Sequence, residues 1–183
     1  MRKYIVVIGG GTAGTLVANR LHRYCGAEFR IVVVDRNGRR DQELELLGAL
    51  GLYGPHTPQA PEQSRLRKGI DFRHAEVASV DVAHAEVCLT DGTAIGYEAL
   101  VVAVGAAPVP RGLGEGARFV PVDPRTLRSI ARPDVFAVGA AAGLRPSAGP
   151  RAHVEAERVA NGVRLLLTGH APQDAAKVAF PTR

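Results

Sequence analysis

Apolar residues bunch at residues 4–8, YIVVI, and the run then breaks into glycine at Gly9, Gly10, Gly11 and Gly14. So short a run, bounded by glycine, predicts a buried strand followed by a tight turn. Apolar positions at helical spacing over residues 15–22 predict a helix, and residues 29–34 predict a second strand that ends on Asp35. Residues 42–50 carry Leu44, Leu46, Leu47 and Leu50 and predict a short helix. Pro55, Pro58 and Pro61 make residues 51–62 an irregular connector, with His56 in solvent.

From Phe72 the period becomes two. Residues 76–82 and 85–90 predict paired strands, Asp91-Gly92 a hairpin turn, and residues 93–97 the returning strand. The echo of His74-Ala-Glu-Val77 in His84-Ala-Glu-Val87 reads as two similar strands with solvent-facing histidines. The unbroken apolar run at 99–104, ending in Gly105, predicts a central parallel strand buried on both faces. A Pro/Gly connector follows at 106–118, then short strands at 119–123 and 135–138, the second running into Gly139-Ala-Ala-Ala-Gly143. Val154, Val159, Val163, Leu166 and Leu167 mark an amphipathic helix over 152–167 closed by Gly169, and residues 172–183 a loosely held tail. This order predicts one α/β domain with a Rossmann-like parallel central sheet and a small antiparallel hairpin layer.

The first glycines carry the chemistry. Gly9, Gly11 and Gly14 fit G-x-G-x-x-G between a predicted strand and a predicted helix, and Asp35 follows Gly14 by 21 residues at the end of the second strand. In such a cradle the first glycine makes the tight turn, the second lets a pyrophosphate approach the backbone, and the third lets helix pack on strand. The phosphates take the helix start, and the acid accepts bonds from ribose hydroxyls. Arg36, Arg39 and Arg40 beside that acid would suit a 2′-phosphate, so NAD or NADP binding by a single Rossmann unit stands beside other dinucleotides.

Composition narrows the field. With 183 residues, 46% of them hydrophobic and no Trp, the chain suits one well-buried unit and argues against disorder. The formal charge of +5 is carried mainly by arginines scattered without aromatic neighbours, which favours an anionic ligand over a nucleic-acid stripe. Cys25 and Cys88 form neither a disulfide framework nor a C-x-x-C relay, and predict inert thiols in a reducing cytoplasm. No run of about 18 apolar residues spans a membrane, and the apolar N-terminal stretch belongs to the cradle rather than to a leader. His74 and His84 lack spaced metal-ligand partners, and no G-x-S-x-G elbow occurs.

Four segments in order resemble the FAD-dependent pyridine nucleotide-disulfide oxidoreductase superfamily, above all type II NADH dehydrogenases and sulfide:quinone reductases. They are VVIGGGTAG, IVVVDRNG, DGTAIGYEALVVAVGAAP and VPVDPRTLRSIARPDVFAVGAAAG. The resemblance implies an FAD-binding domain. Gly9, Gly11 and Gly14 would hold the pyrophosphate and Asp35 the adenosine ribose, with Arg36 beside the adenine and the Val77 backbone at its edge. Ala103 to Gly105, with Gly139 and Ala140, would line the route to the flavin.

Three departures qualify what is implied. The family's NAD domain lies between the third and fourth segments, but only 16 residues separate Gly105 from Val122, too few for a strand-helix-strand unit of about 30. The family's ribityl-binding acid is Ala140, and the two glutamines of its quinone-side helix fall at Pro150 and Val154. The expected organisation is a first part at 1–105, a connector at 106–118, a second part at 119–170 and a tail. The expected function is a minimal FAD-binding flavoprotein oxidoreductase supplied with electrons by a partner reductase or free reduced nicotinamide, with a homodimer as one way to cover the flavin. The alternative is a redox-silent descendant that binds a small apolar ligand or catalyses a non-redox isomerisation or cyclisation. For that reaction His153, Glu155 and Glu98 are the acid/base candidates.

Overall fold

The computed structural model describes residues 3–36, 66–113, 118–144 and 150–169. The helix expected at 42–50, the connector at 51–62, Arg39, Arg40 and the tail at 172–183 lie outside them.

The elements run β1 (Tyr4–Ile8), α1 (Thr12–Cys25), β2 (Arg30–Asp35), β3 (Asp71–His74), β4 (Val77–Asp81), β5 (Glu86–Leu89), β6 (Ala94–Gly96), β7 (Ala99–Val102), β8 (Val135–Ala137), a 3-10 turn (Gly139–Ala142) and α2 (Pro150–Thr168). A five-stranded sheet has the order β3-β2-β1-β7-β8, and every pair in it is parallel. The second sheet is antiparallel, β4-β5-β6.

Strand alternation builds three layers. Ile5, Val7, Ile31, Val33, Ala99, Val101 and Phe136 face the layer of α1 and α2, where Val17, Leu21, Val159 and Val163 are buried. Val6, Ile8, Val32, Val34, Leu100, Val102 and Val135 face the small sheet, against Val80, Val87, Leu89 and Ile95. Both faces of the central strands are thus dry, which is why they read as unbroken apolar runs rather than alternating ones. The two helices dock side by side through Glu157 on α2. It accepts bonds from Arg20 Nε at 2.8 Å and Tyr24 Oη at 2.6 Å, both on α1. Gly169 closes α2 with φ +69°, its amide donating to the Leu165 carbonyl.

Three expectations change. Residues 119–123 make only an isolated bridge, Val122 to Ser129, because Pro121 has no N–H to give a ladder. The two His-Ala-Glu-Val segments are not equivalent: His74 ends β3 in the parallel sheet, whereas His84 sits in the turn between β4 and β5, beside Ala85 at φ +54°. Strand β3 was not anticipated, because as an exposed edge strand, Asp-Phe-Arg-His, it carries no apolar alternation.

Candidate functional site

The strand order reverses at β1, which pairs with β2 on one side and β7 on the other, so a crevice opens beyond the carboxyl ends of these strands. The cradle glycines occupy that crevice, and each has a different surrounding. Gly9, at φ +104°, donates its amide to the Val34 carbonyl at 2.8 Å, and a Cβ there would lie 2.3 Å from the Ala103 carbonyl oxygen. At Gly14 a Cβ would lie 1.9 Å from the Gly9 carbonyl oxygen, so its absence lets α1 seat against the turn. Among the described residues, nothing lies within 4 Å of the position a Cβ would take at Gly11.

Gly11 is also the N-cap of α1, where no side chain caps and no acid stands in the first turn. The helix therefore turns its positive end toward the Gly11 backbone, which is a surrounding that favours an anion. Asp35 reaches back from the end of β2, and its Oδ2 accepts the Gly10 N–H at 2.5 Å. The Thr15 hydroxyl closes the loop on the Gly10 carbonyl at 3.0 Å. The cradle is thus braced from within rather than dependent on a ligand for its shape.

Beside it, Arg36 pairs with Glu76 at 3.5 Å, on the exposed side of β2. Val77 opens β4 and pairs with Leu89. On the other side of β1, the Ala103 amide bonds the Ile8 carbonyl, Gly105 turns at φ +63°, and the Val138 amide bonds the Val102 carbonyl. Gly139 then turns at φ +60° into the 3-10 turn that carries Ala140. Apart from Val77, which lies in the antiparallel sheet, these residues follow the carboxyl ends of the parallel strands from β2 across to β8.

The acid/base candidates separate. Glu98 is exposed at the opposite end of the sheet, its amide on the Tyr4 carbonyl, so it is not part of the crevice. His153 is exposed on α2, with Nδ1 3.3 Å from Arg20 Nη2. Glu155 comes to the crevice: it is only 5% exposed, and its Oε2 accepts the Gly139 N–H at 3.1 Å while Oε1 meets Arg151 Nη2 at 3.2 Å. The sequence signal for this contact is a carboxylate set among the buried Ala152, Ala156 and Val159. Among the described residues no group of three or more His, Cys, Asp or Glu side chains could hold a metal, and no helix is long and apolar enough to cross a membrane.

The profile of the pyridine nucleotide-disulphide oxidoreductase family matches residues 3–129. The chain belongs to that family. Its match takes in the cradle, the Gly105 strand and the short connector after it. The pyridine nucleotide-disulphide oxidoreductases are Rossmann-type flavoprotein oxidoreductases, and the parallel sheet with its antiparallel layer is an architecture of that type. Among solved structures, the GidA-related protein from Thermus thermophilus aligns with a TM-score of 0.60 at 16% identity, over 89% of this chain and 98% of its own, a likeness of fold. The sulfide:quinone oxidoreductase from Aquifex aeolicus aligns at 25% identity and a TM-score of 0.43, over 66% of this chain and 28% of its own. An NAD-dependent persulfide reductase from A. fulgidus aligns at 25% identity and a TM-score of 0.43, over 58% and 22%. The chain thus spans less than a third of the length of these two enzymes.

Proposed function

We propose that this family member is a minimal FAD-binding flavoprotein oxidoreductase without an NAD(P)H domain of its own. The observation that carries the reading is the contrast among the three cradle glycines. Gly9 and Gly14 are sealed by backbone, whereas among the described residues nothing lies within 4 Å of a Cβ at Gly11, the N-cap of α1. Packing explains the first two. A ligand approaching the backbone gives the third a purpose.

In this reading Gly9, Gly11 and Gly14 hold the pyrophosphate, Asp35 accepts from the adenosine ribose with the carboxylate that already braces Gly10, and Arg36 and the Val77 main chain border the adenine. Ala103, Gly105, Gly139 and Ala140 border the flavin half. When bound, the cofactor supplies hydride and electron transfer, and the chain supplies binding and orientation. Residues 1–105 and 119–170 form one FAD-binding unit joined by the connector at 106–118. Sixteen residues between Gly105 and Val122 leave no room for a nicotinamide domain. In this reading electrons come from freely diffusing reduced nicotinamide or a partner reductase, and a homodimer is one way to shield the flavin. The free thiols Cys25 and Cys88 support a reducing, cytoplasmic setting.

Ala140 favours the second reading, a redox-silent descendant whose crevice takes a small apolar ligand or serves an isomerisation or cyclisation, since no carboxylate projects from that turn position. One experiment separates the two. The purified protein is incubated with FAD and desalted, and its absorbance spectrum and Tm are recorded. Flavin bands that survive desalting, with a raised Tm, are expected. A colourless protein whose Tm does not move with FAD would overturn the flavin reading and leave the second.

A further inference from the structure

Glu155 is a carboxylate where side-chain packing calls for none. Its neighbours along the same face of α2, Ala152, Ala156 and Val159, are all at most 1% exposed. Burying a carboxylate there is costly unless it is well bonded. The bond it makes inward is to backbone, the Gly139 amide at 3.1 Å, just where the chain leaves β8. Arg151, one helical turn earlier and half exposed, supplies the counter-charge at 3.2 Å.

The other holds on this segment are main-chain bonds, from the Val120 amide to the Ala141 carbonyl at 2.7 Å, from Gly143 to Ala140 at 3.0 Å and from Leu144 to Gly139 at 3.1 Å, together with the burial of Ala141 and Ala142, and Glu155 adds a side-chain hold at its start. Gly139 and Gly143 both turn with positive φ, at +60° and +71°, and the 3-10 turn between them carries three alanines that offer no polar side chain. Glycines lose the most conformational freedom on ordering, so a turn of this composition is sharpened by each hold upon it. Position 140, next to Gly139 in that turn, is alanine and offers no polar side chain.

Resting on the flavin reading above, we propose that Glu155 is a positioning residue for the flavin half of the dinucleotide: its carboxylate clamps the Gly139 amide from α2 and fixes the turn in place of a side chain at 140. Strand geometry limits the effect to that half. Gly139 follows β8, two strands from β1 in the sheet order, which at about 4.8 Å per strand is about 10 Å from the cradle. Adenosine and pyrophosphate lie over β2 and β1, out of its reach.

The test compares FAD with ADP, which fills the cradle but has no flavin half. Affinities are measured by titration for the wild type, Glu155→Ala, Glu155→Asp and Glu155→Gln, with Tm recorded for each. Wild type binding both ligands upholds the flavin reading, and wild type binding neither overturns that reading itself. Given binding, Glu155→Ala is expected to weaken FAD by about 10- to 100-fold, the worth of one bond to a charged group, while ADP affinity stays within about twofold. Glu155→Gln, whose amide oxygen can accept the same bond, regains most of the FAD affinity. Glu155→Asp, one methylene too short, behaves like alanine and carries the test if the alanine variant does not fold. Unchanged FAD affinity in the alanine and aspartate variants, a parallel loss of FAD and ADP, or a glutamine variant as weak as alanine would each overturn the proposal.

Discussion

Three glycines within six residues do three different jobs, and substitution separates them. At Gly14 an added methyl would sit 1.9 Å from the Gly9 carbonyl oxygen, and backbone cannot give way cheaply. Gly14→Ala is expected to cost several kcal/mol of stability, in the range of overpacking changes of about 1–3 kcal/mol or beyond. Gly11 has φ −68° and open surroundings. Gly11→Ala therefore costs the ligand-free protein no more than a poorer N-cap, about 1 kcal/mol or 2–4 °C of Tm, while obstructing the approach of a pyrophosphate. Thermal scans of both variants with and without FAD check this. A Gly11→Ala protein that FAD stabilises as much as wild type would remove the reason for calling the open glycine a binding position. The pattern G-x-G-x-x-G was legible as a cradle, but which glycines serve packing and which the ligand was not, because that depends on Ala103 and Val104, far away in sequence.

At the scale of elements, the docking of α2 on α1 and β8 turns on two residues. Glu157 gathers Arg20, Tyr24 and, at 3.3 Å, Asn161. Burial pushes its pKa up, but the bonds from Tyr24 and Arg20 outweigh that and hold its carboxyl below the ordinary value of 4.5. Gly162 lies against the ring of the fully buried Phe136, where an added Cβ would come within 2.8 Å of Cε1. Alanine in a helix interior gains about 1 kcal/mol over glycine, yet a ring locked between helix and sheet cannot retreat. Gly162→Ala is thus expected to be net destabilising, by about 1–2 kcal/mol in denaturant titration, and a stabilised variant would show that α2 can slide.

The same elements show what sequence makes legible. β1, β2, β7 and α2 announce themselves because each is apolar over a whole strand or stripe. β3 and residues 119–123 do not. The first is an exposed edge whose place is set by pairing with β2, the second a segment whose Pro121 leaves it one bridge instead of a ladder. Glu155 was legible as an acid/base candidate on the last helix, but its partner is a main-chain amide, which has no sequence signature.

The whole molecule places ionisable groups in both of its cores, and this sets its pH range. Cys25 is 4% exposed, and burial pushes its thiol from the ordinary value of 9.0 to about 11. Tyr97, 6% exposed, is pushed by burial and by the nearby Asp134 from 10.0 to about 12. Both groups are held neutral in the folded chain and ionise more easily in the unfolded one. The stability they contribute is therefore whole below pH 9 and falls away as pH rises toward 11 and then 12. Glu157 acts in the opposite sense: its folded value is depressed, so its contribution is present above pH 4.5 and disappears as pH falls below it. The expected profile is a plateau between about pH 5 and 9 with a decline at each end. Cys25 alone accounts for the first part of the alkaline limb, on the order of 2 kcal/mol by pH 11. Cys25→Ala tests the assignment, because it costs some stability everywhere but postpones the alkaline decline by about one pH unit, to where Tyr97 begins to ionise. Denaturant titrations of the two proteins from pH 6 to 11 measure the difference. Parallel curves across that range would mean that the space between α1 and the sheet admits water at Cys25, and that the helix layer is looser than its packing against Leu21, Phe29 and Ile31 implies.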